Sequence, residues 1–117
     1  MKYLPLLLLF LASCATNPHA VNHIVFIELN DPSQVDALIE DSDARLATIP
    51  TVKEYFCGTH VPAGRATVLT DYDVGIYFGF ESLEGYQEYV NHPNHIKFVE
   101  DWGPELKSLR VYDISGD

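Results

Sequence analysis

The chain has 117 residues, 7 of them basic and 17 acidic, for a formal charge of −10, with two cysteines. That length suits one compact domain and not two. Acidic residues scattered without any cluster of Lys and Arg exclude nucleic acid as a partner and polybasic adsorption to anionic lipid.

Met1-Lys2 places a positive charge ahead of an apolar run from Leu4 to Ala12, broken only by Pro5. The run is far shorter than the roughly 20 residues a membrane-spanning helix needs. A short apolar stretch after a basic start is the pattern of an export signal, here residues 1–13. Its end, Leu11-Ala12-Ser13-Cys14, resembles the bacterial lipoprotein box. The resemblance implies cleavage before Cys14, which then carries a diacylglyceryl thioether and an N-acyl chain. Each buried methylene adds about 0.8 kcal/mol, so three chains fix the protein to the membrane through lipid. Ala15 stands where inner-membrane retention signals of many Gram-negative lipoproteins have Asp. The expected location is therefore the cell envelope, at the outer membrane facing the periplasm. With Cys14 acylated, Cys57 is the one thiol left, expected to be buried and inert beside Phe56.

Residues 14–21 carry the lipid and a tether without apolar periodicity, and 22–115 form the domain. His23 to Leu29 reads as a first strand, with His23, Val25, Ile27 and Leu29 on one face. Asn30-Asp31-Pro32 turns the chain. Ser33 and Asp36 resemble a capping box for a helix whose stripe is Val35, Leu38, Ile39, Leu46 and Ile49, closed by Pro50. Val52 to Val61 is a second strand, and Pro62-Ala63-Gly64-Arg65 opens a loop reaching about Asp71. Asp73 to Glu81 is a third strand with Val74, Ile76, Phe78 and Phe80 on one face. Its other face carries Gly75 and Gly79, so something approaches closely there, a dimer partner or a helix.

Ser82 caps a second helix with Leu83, Tyr86, Tyr89 and Val90 at helical spacing. Pro93 interrupts it, because a residue before proline is pushed out of the helical region. A further helical segment begins at Pro93, with His95, Val99 and Trp102 on one stripe, and ends at Gly103-Pro104. Leu109 to Ile114 is the last strand. The order strand, helix, strand, strand, helix, strand predicts an α+β fold of the ferredoxin-like kind, one antiparallel sheet with helices on one face.

Tyr89-Val90-Asn91-His92-Pro93-Asn94-His95 concentrates the titratable chemistry. Periodicity makes His92 a cap or surface residue and turns His95 inward. An apolar pocket would be lined by His23, Val25, Tyr89, His95 and Trp102. A neutral imidazole at His95 suits proton abstraction from a carbon flanked by carbonyls, with Tyr89 polarising a carbonyl and His23 orienting the pair. The same three side chains equally serve a structural reading, hydrogen-bonded to each other and to backbone. His92 and His95 lack the cysteines or carboxylate cluster of a metal site, so no metal is expected. No GxSxG, Walker or dinucleotide glycine pattern points to a cofactor.

His23-Ile24-Val25-Phe26, Phe78-Gly79-Phe80-Glu81-Ser82, the Tyr89 to Val99 segment and Val111-Tyr112-Asp113-Ile114 together resemble the stress-responsive A/B barrel (Dabb) domain over residues 22–115. The resemblance implies a dimeric α+β barrel, a homodimer with two sheets packed face to face. It also implies binding of a small hydrophobic or carbonyl-bearing molecule. Plant polyketide cyclases of the family are similar in using histidines and a tyrosine at the positions of His23, Tyr89 and His95. A lyase or cyclase is thus one reading, and a purely structural dimerisation module another. Related dimeric barrels bind haem or act as monooxygenases, but their own ligands are not evident in this chain.

Overall fold

The computed structural model describes residues 19–117, together with Tyr3 and Pro5. The expected export signal and the lipid-bearing Cys14 lie outside the described residues. Four strands form one antiparallel sheet: β1 (Val21–Leu29), β2 (Glu54–Gly58), β3 (Val74–Phe80) and β4 (Leu106–Ser115). Their spatial order is β2-β3-β1-β4. Three helices, α1 (Val35–Arg45), α2 (Leu83–Asn91) and α3 (Pro93–Trp102), complete the domain. The ferredoxin-like α+β arrangement expected from the element order is present.

Alternation in β1 and β3 creates the core. His23, Val25, Ile27 and Leu29 and their neighbours Val74, Ile76, Phe78 and Phe80 are all buried, joined by Leu38, Leu46, Ile49, Tyr89 and Phe98 from the helical layer. Burying one ring such as Phe78 is worth about 1.5–3 kcal/mol relative to leaving it in water. On the opposite face Phe56, Tyr112 and Ile114 are exposed.

Several boundaries differ from expectation for local reasons. Val21 already belongs to β1, so the strand begins inside the segment expected to be tether. The Ser33–Asp36 capping box does not form. Asp31 Oδ1 instead accepts from the Ser33 backbone N (3.0 Å) and Oγ (2.7 Å), fixing a 3₁₀ turn over Pro32–Gln34. Helix α1 stops at Arg45, and Leu46 and Ile49 reach the core from the turn that follows. β2 pairs only over Glu54–Gly58, because the chain then departs into an exposed connection with Gly64 at φ +68°. Asp73 precedes β3, and its Oδ2 accepts the Leu29 N–H at 2.8 Å. β4 is longer than expected, starting at Leu106, with a bulge between Leu106 and Ser108 opposite Glu28 and Leu29.

Within the chain, the close approach expected at the β3 glycines is made at Gly79 by His19. A Cβ on Gly79 would strike the His19 ring, whose Nε2 lies 2.8 Å from Glu54 Oε2. His19 O accepts from Asn22 Nδ2 at 2.8 Å, and Tyr77 OH donates to Asn22 Oδ1 at 2.6 Å. The chain's own lead-in is thus laid across one corner of the sheet. At Gly75 a Cβ would meet Tyr72 at 3.5 Å and Phe26 at 3.7 Å, ordinary contact, so the glycine serves space for rings.

Gly79→Val should destabilise the domain by about 1–3 kcal/mol through this overpacking. In a His19→Ala background the penalty should shrink by more than half in urea unfolding. An unchanged penalty would mean that His19 is not what the glycine accommodates.

Candidate functional site

The break between α2 and α3 builds one wall of the site. His92 is extended (φ −67°, ψ 139°), as its place before proline requires, and its Nδ1 accepts from Asn94 N at 3.1 Å. It therefore caps α3. Ser82 caps α2 in the expected way, its Oγ accepting from Gly85 N at 3.0 Å. The turn at His92 carries His95 back over Tyr89, with ring centroids 4.6 Å apart.

A cavity of about 280 Å³ lies between the sheet and α2–α3. His23, Val25, Tyr89, His95 and Trp102, the five residues expected to line a pocket, all line it. The expected inward stripe of α3 is only partly right. Phe98 is the buried residue of that helix, while Val99 reaches the cavity from its rim at 52% exposure. The offset arises because α3 also packs against α1, where the Arg45 guanidinium lies over the Phe98 ring and bonds Asp101.

His95 Nδ1 lies 2.9 Å from the Val90 carbonyl, which can only accept, so the ring donates there. In the neutral imidazole Nε2 is left as an acceptor or base. Burial lowers the His95 pKa, the Val90 carbonyl opposes that, and His23 adds to it. Desolvation is the leading cause of the shift. The Tyr89 ring is 2% exposed, burial raises its pKa, and its hydroxyl takes no hydrogen bond among the described residues.

His23 is buried and its Nδ1 lies 2.6 Å from Asp113 Oδ1, so the ring donates to the carboxylate. Tyr86 OH donates to Asp113 Oδ2 at 3.0 Å, and its ring centroid is 5.0 Å from that of His23. Burial together with the Asp113 carboxylate pushes the Tyr86 hydroxyl up to about 12. Asp113 and Tyr86 were not singled out for the site from sequence. A signal existed: Asp113 continues the alternation of Leu109 and Val111, an acid in phase with apolar neighbours, and pairs directly with His23 across the sheet.

At the other end Trp102 Nε1 donates to Asp41 Oδ2 at 2.8 Å. The indole polar edge is thereby drawn out of the cavity and its apolar surface left facing in. Cys57 is half-buried on the helix-facing side of β2, and desolvation raises its thiol pKa, as an inert thiol requires. Among the described residues no three metal-ligating side chains cluster, and no helix is long and apolar enough to cross a membrane. A second hollow, also about 280 Å³, lies on the other face of the sheet around Phe26, Phe56, Tyr72 and Tyr77 and contains no imidazole.

Fold and cavity define a ferredoxin-like α+β domain with a polar-ended pocket between sheet and helices. Residues 21–115 match the stress responsive A/B barrel domain, and the chain belongs to that family. Among solved structures, a Dabb family protein from Mesorhizobium loti is 24% identical with a TM-score of 0.69, matching 80% of this chain and 93% of its own. A dimeric ferredoxin-like protein of unknown function from Thermobifida fusca is 23% identical (TM-score 0.68; 81% and 89% covered). The hydroxynitrile lyase of Passiflora edulis is 21% identical (TM-score 0.71; 84% and 94% covered). No curated protein matches the chain.

Because the His95 pKa is depressed in the folded state, its neutral form is favoured there. Full stability is present above the unfolded imidazole pKa of about 6.5 and is lost as pH falls through the lower folded value. Urea unfolding at pH 7.5 and 5 should therefore show His95→Gln gaining on the parent at the lower pH. An identical pH response in the two proteins would contradict the desolvated imidazole.

Proposed function

We propose that this chain is an envelope lipoprotein, held at the outer membrane through acylated Cys14, whose domain pairs as a homodimer and binds a small hydrophobic or carbonyl-bearing molecule. One observation carries the binding reading: an apolar cavity lined at one end by Tyr89, whose hydroxyl has no partner among the described residues, and by His95, whose Nε2 is left as an acceptor. A site with few polar groups set in apolar walls is the usual form of a small-molecule pocket. Pairing through the free sheet face is supported by the exposed Phe56, Tyr112 and Ile114 there, and by the description of the Thermobifida protein as dimeric.

The second reading is a lyase or cyclase. His95 Nε2 would take a proton from a carbon between two carbonyls. The resulting enolate would attack a second carbonyl carbon, and the Tyr89 hydroxyl would donate toward the oxygen on which charge develops. His23, held by Asp113, would orient the substrate. The neutral His95 and the likeness to a hydroxynitrile lyase favour weighing it. As a purely structural module, the domain would have no use for an empty apolar cavity with free polar groups.

Titration with 2-heptanone and with cyclohexanone, followed through Trp102, should give saturable binding that Tyr89→Phe weakens about tenfold, the worth of one hydrogen bond near 1.4 kcal/mol. The absence of binding by either ketone would remove the pocket reading. Turnover of a linear poly-β-ketone, if present, should fall at least about 100-fold in His95→Ala. Ketone binding without turnover would leave a binding protein.

Expressed in a Gram-negative host, the parent should partition into detergent and Cys14→Ser into the aqueous phase. The described domain should sediment as a dimer at micromolar concentration. An aqueous parent or a monomeric domain would overturn the corresponding part of the proposal.

A further inference from the structure

The cavity is closed on three sides and open on the fourth. Val25 and Ile27 of β1 and Ile76 of β3 form its floor, and Phe98 and Trp102 form the α3 wall. Among the described residues no helix covers β4: Leu109 and Val111, on the helix-facing side of that strand, are 52% and 46% exposed. Across the opening stand Val90 and Val99, also exposed. The cavity is therefore a trough whose open side is rimmed by four aliphatic side chains.

Its two ends differ chemically. The strand register puts His23 opposite Asp113 at one end, Ile27 opposite Leu109 near the middle and Leu29 opposite Leu106 at the other. Four to six residues of strand give a length of about 13–20 Å. All the polar groups, His23, Tyr86, Tyr89 and His95, lie at the first end, and the remainder is apolar as far as Trp102 and Leu106. A volume of 280 Å³ spread over such a length is narrow, the girth of a single extended chain.

Charge selects further. No Lys or Arg lines the trough, and the one buried imidazole able to pair with an anion, His23, is already bonded to Asp113. An anionic head would be stripped of water beside a carboxylate with nothing to neutralise it. The free groups are a donor on Tyr89 and an acceptor on His95, which suit a neutral head with an oxygen that accepts and a hydroxyl or enol that donates.

Resting on the binding reading above, we propose that the ligand is a linear, uncharged amphiphile: a carbonyl- or hydroxyl-bearing head at Tyr89 and His95, and an alkyl chain lying along β4 toward Trp102. Because the trough is open beside Leu109 and Val111, a chain longer than the cavity leaves sideways without obstruction.

The sequence has one tryptophan, so Trp102 fluorescence reports the far end of the trough directly. The test titrates the full chain at pH 7.5 with 2-alkanones from four to eleven carbons, with n-alkanoates of matching length, and with cyclohexanone. Affinity for the ketones should rise by up to about fourfold per added methylene and then level off as the chain emerges. Alkanoates should bind at least tenfold more weakly than ketones of equal length, and cyclohexanone more weakly than 2-hexanone. Leu109→Asp, at an already exposed position, should weaken the longest ketones at least tenfold. Saturable binding with no dependence on chain length would overturn the tail placement while leaving the pocket reading intact. Alkanoates that bind as tightly as ketones would overturn the uncharged head. Failure of every ketone would count against the pocket reading itself.

Discussion

The interruption of the helix at His92-Pro93 is the constraint on which the rest of this structure depends. Proline cannot continue an α-helix without losing a backbone hydrogen bond and clashing with the preceding turn, and it forbids helical backbone to the residue before it. Without that break α2 and α3 would form one straight rod, and His95 would continue along the axis away from Tyr89. With it, the extended residue at His92 redirects the chain, and its own side chain satisfies the new helix start. The turn brings an imidazole against a buried phenol and leaves β4 without a helix above it. Site and opening have one cause.

Two hydrogen-bonded polar nodes flank the core. Near the β2 edge, the buried Ser42 Oγ lies 2.8 Å from Tyr55 OH, which also donates to Asp43 Oδ1 at 2.7 Å. Beside β4 stands the group of His23, Asp113 and Tyr86. Paired polar groups of this kind rigidify a core, and unpaired ones would be costly. The first node, with Ser42 buried and Asp43 exposed, ties α1 to β2. The second borders the trough, where Tyr89 OH and His95 Nε2 keep free hydrogen-bonding capacity. Ionic contacts hold the helix layer in place: Arg45 spans α1 to α3 through Asp41 and Asp101, and Asp41 in turn holds Trp102.

Much of this was legible in the sequence where the pattern is local. The alternation of β1 and β3 placed His23, Val25, Phe78 and Phe80 inward, and helical spacing within each segment turned Tyr89 and His95 inward, because each needs only a few neighbouring residues to be right. What depended on distant partners was not legible. The pairing of Asp113 with His23 is a matter of sheet register between residues 90 apart in sequence. The length of β2 was overestimated because β-propensity continues past Gly58 while the partner strand does not. The choice of Phe98 over Val99 as the buried position of α3 follows from its packing against α1, a distant partner that no periodicity encodes. The expected crowding at the β3 glycines is present at Gly79, but His19 as its source within the chain was not foreseen, because a polar lead-in has no periodic signature.

That lead-in gives the domain a direction. His19 is fixed over Gly79, and the Gly116 N–H donates to Ala20 O at 3.1 Å, so both ends of the described chain leave from the same pole of the sheet. The connection between β2 and β3, with exposed Val61, Val68 and Leu69, emerges at the opposite pole. His23, Tyr86 and Asp113 sit at the pole of the termini, whereas Trp102 and Leu106 lie toward the other. The described chain therefore enters beside the histidine end of the trough. Its titratable groups stand beside both termini, and its aliphatic rim runs along the free edge of β4 toward the opposite pole.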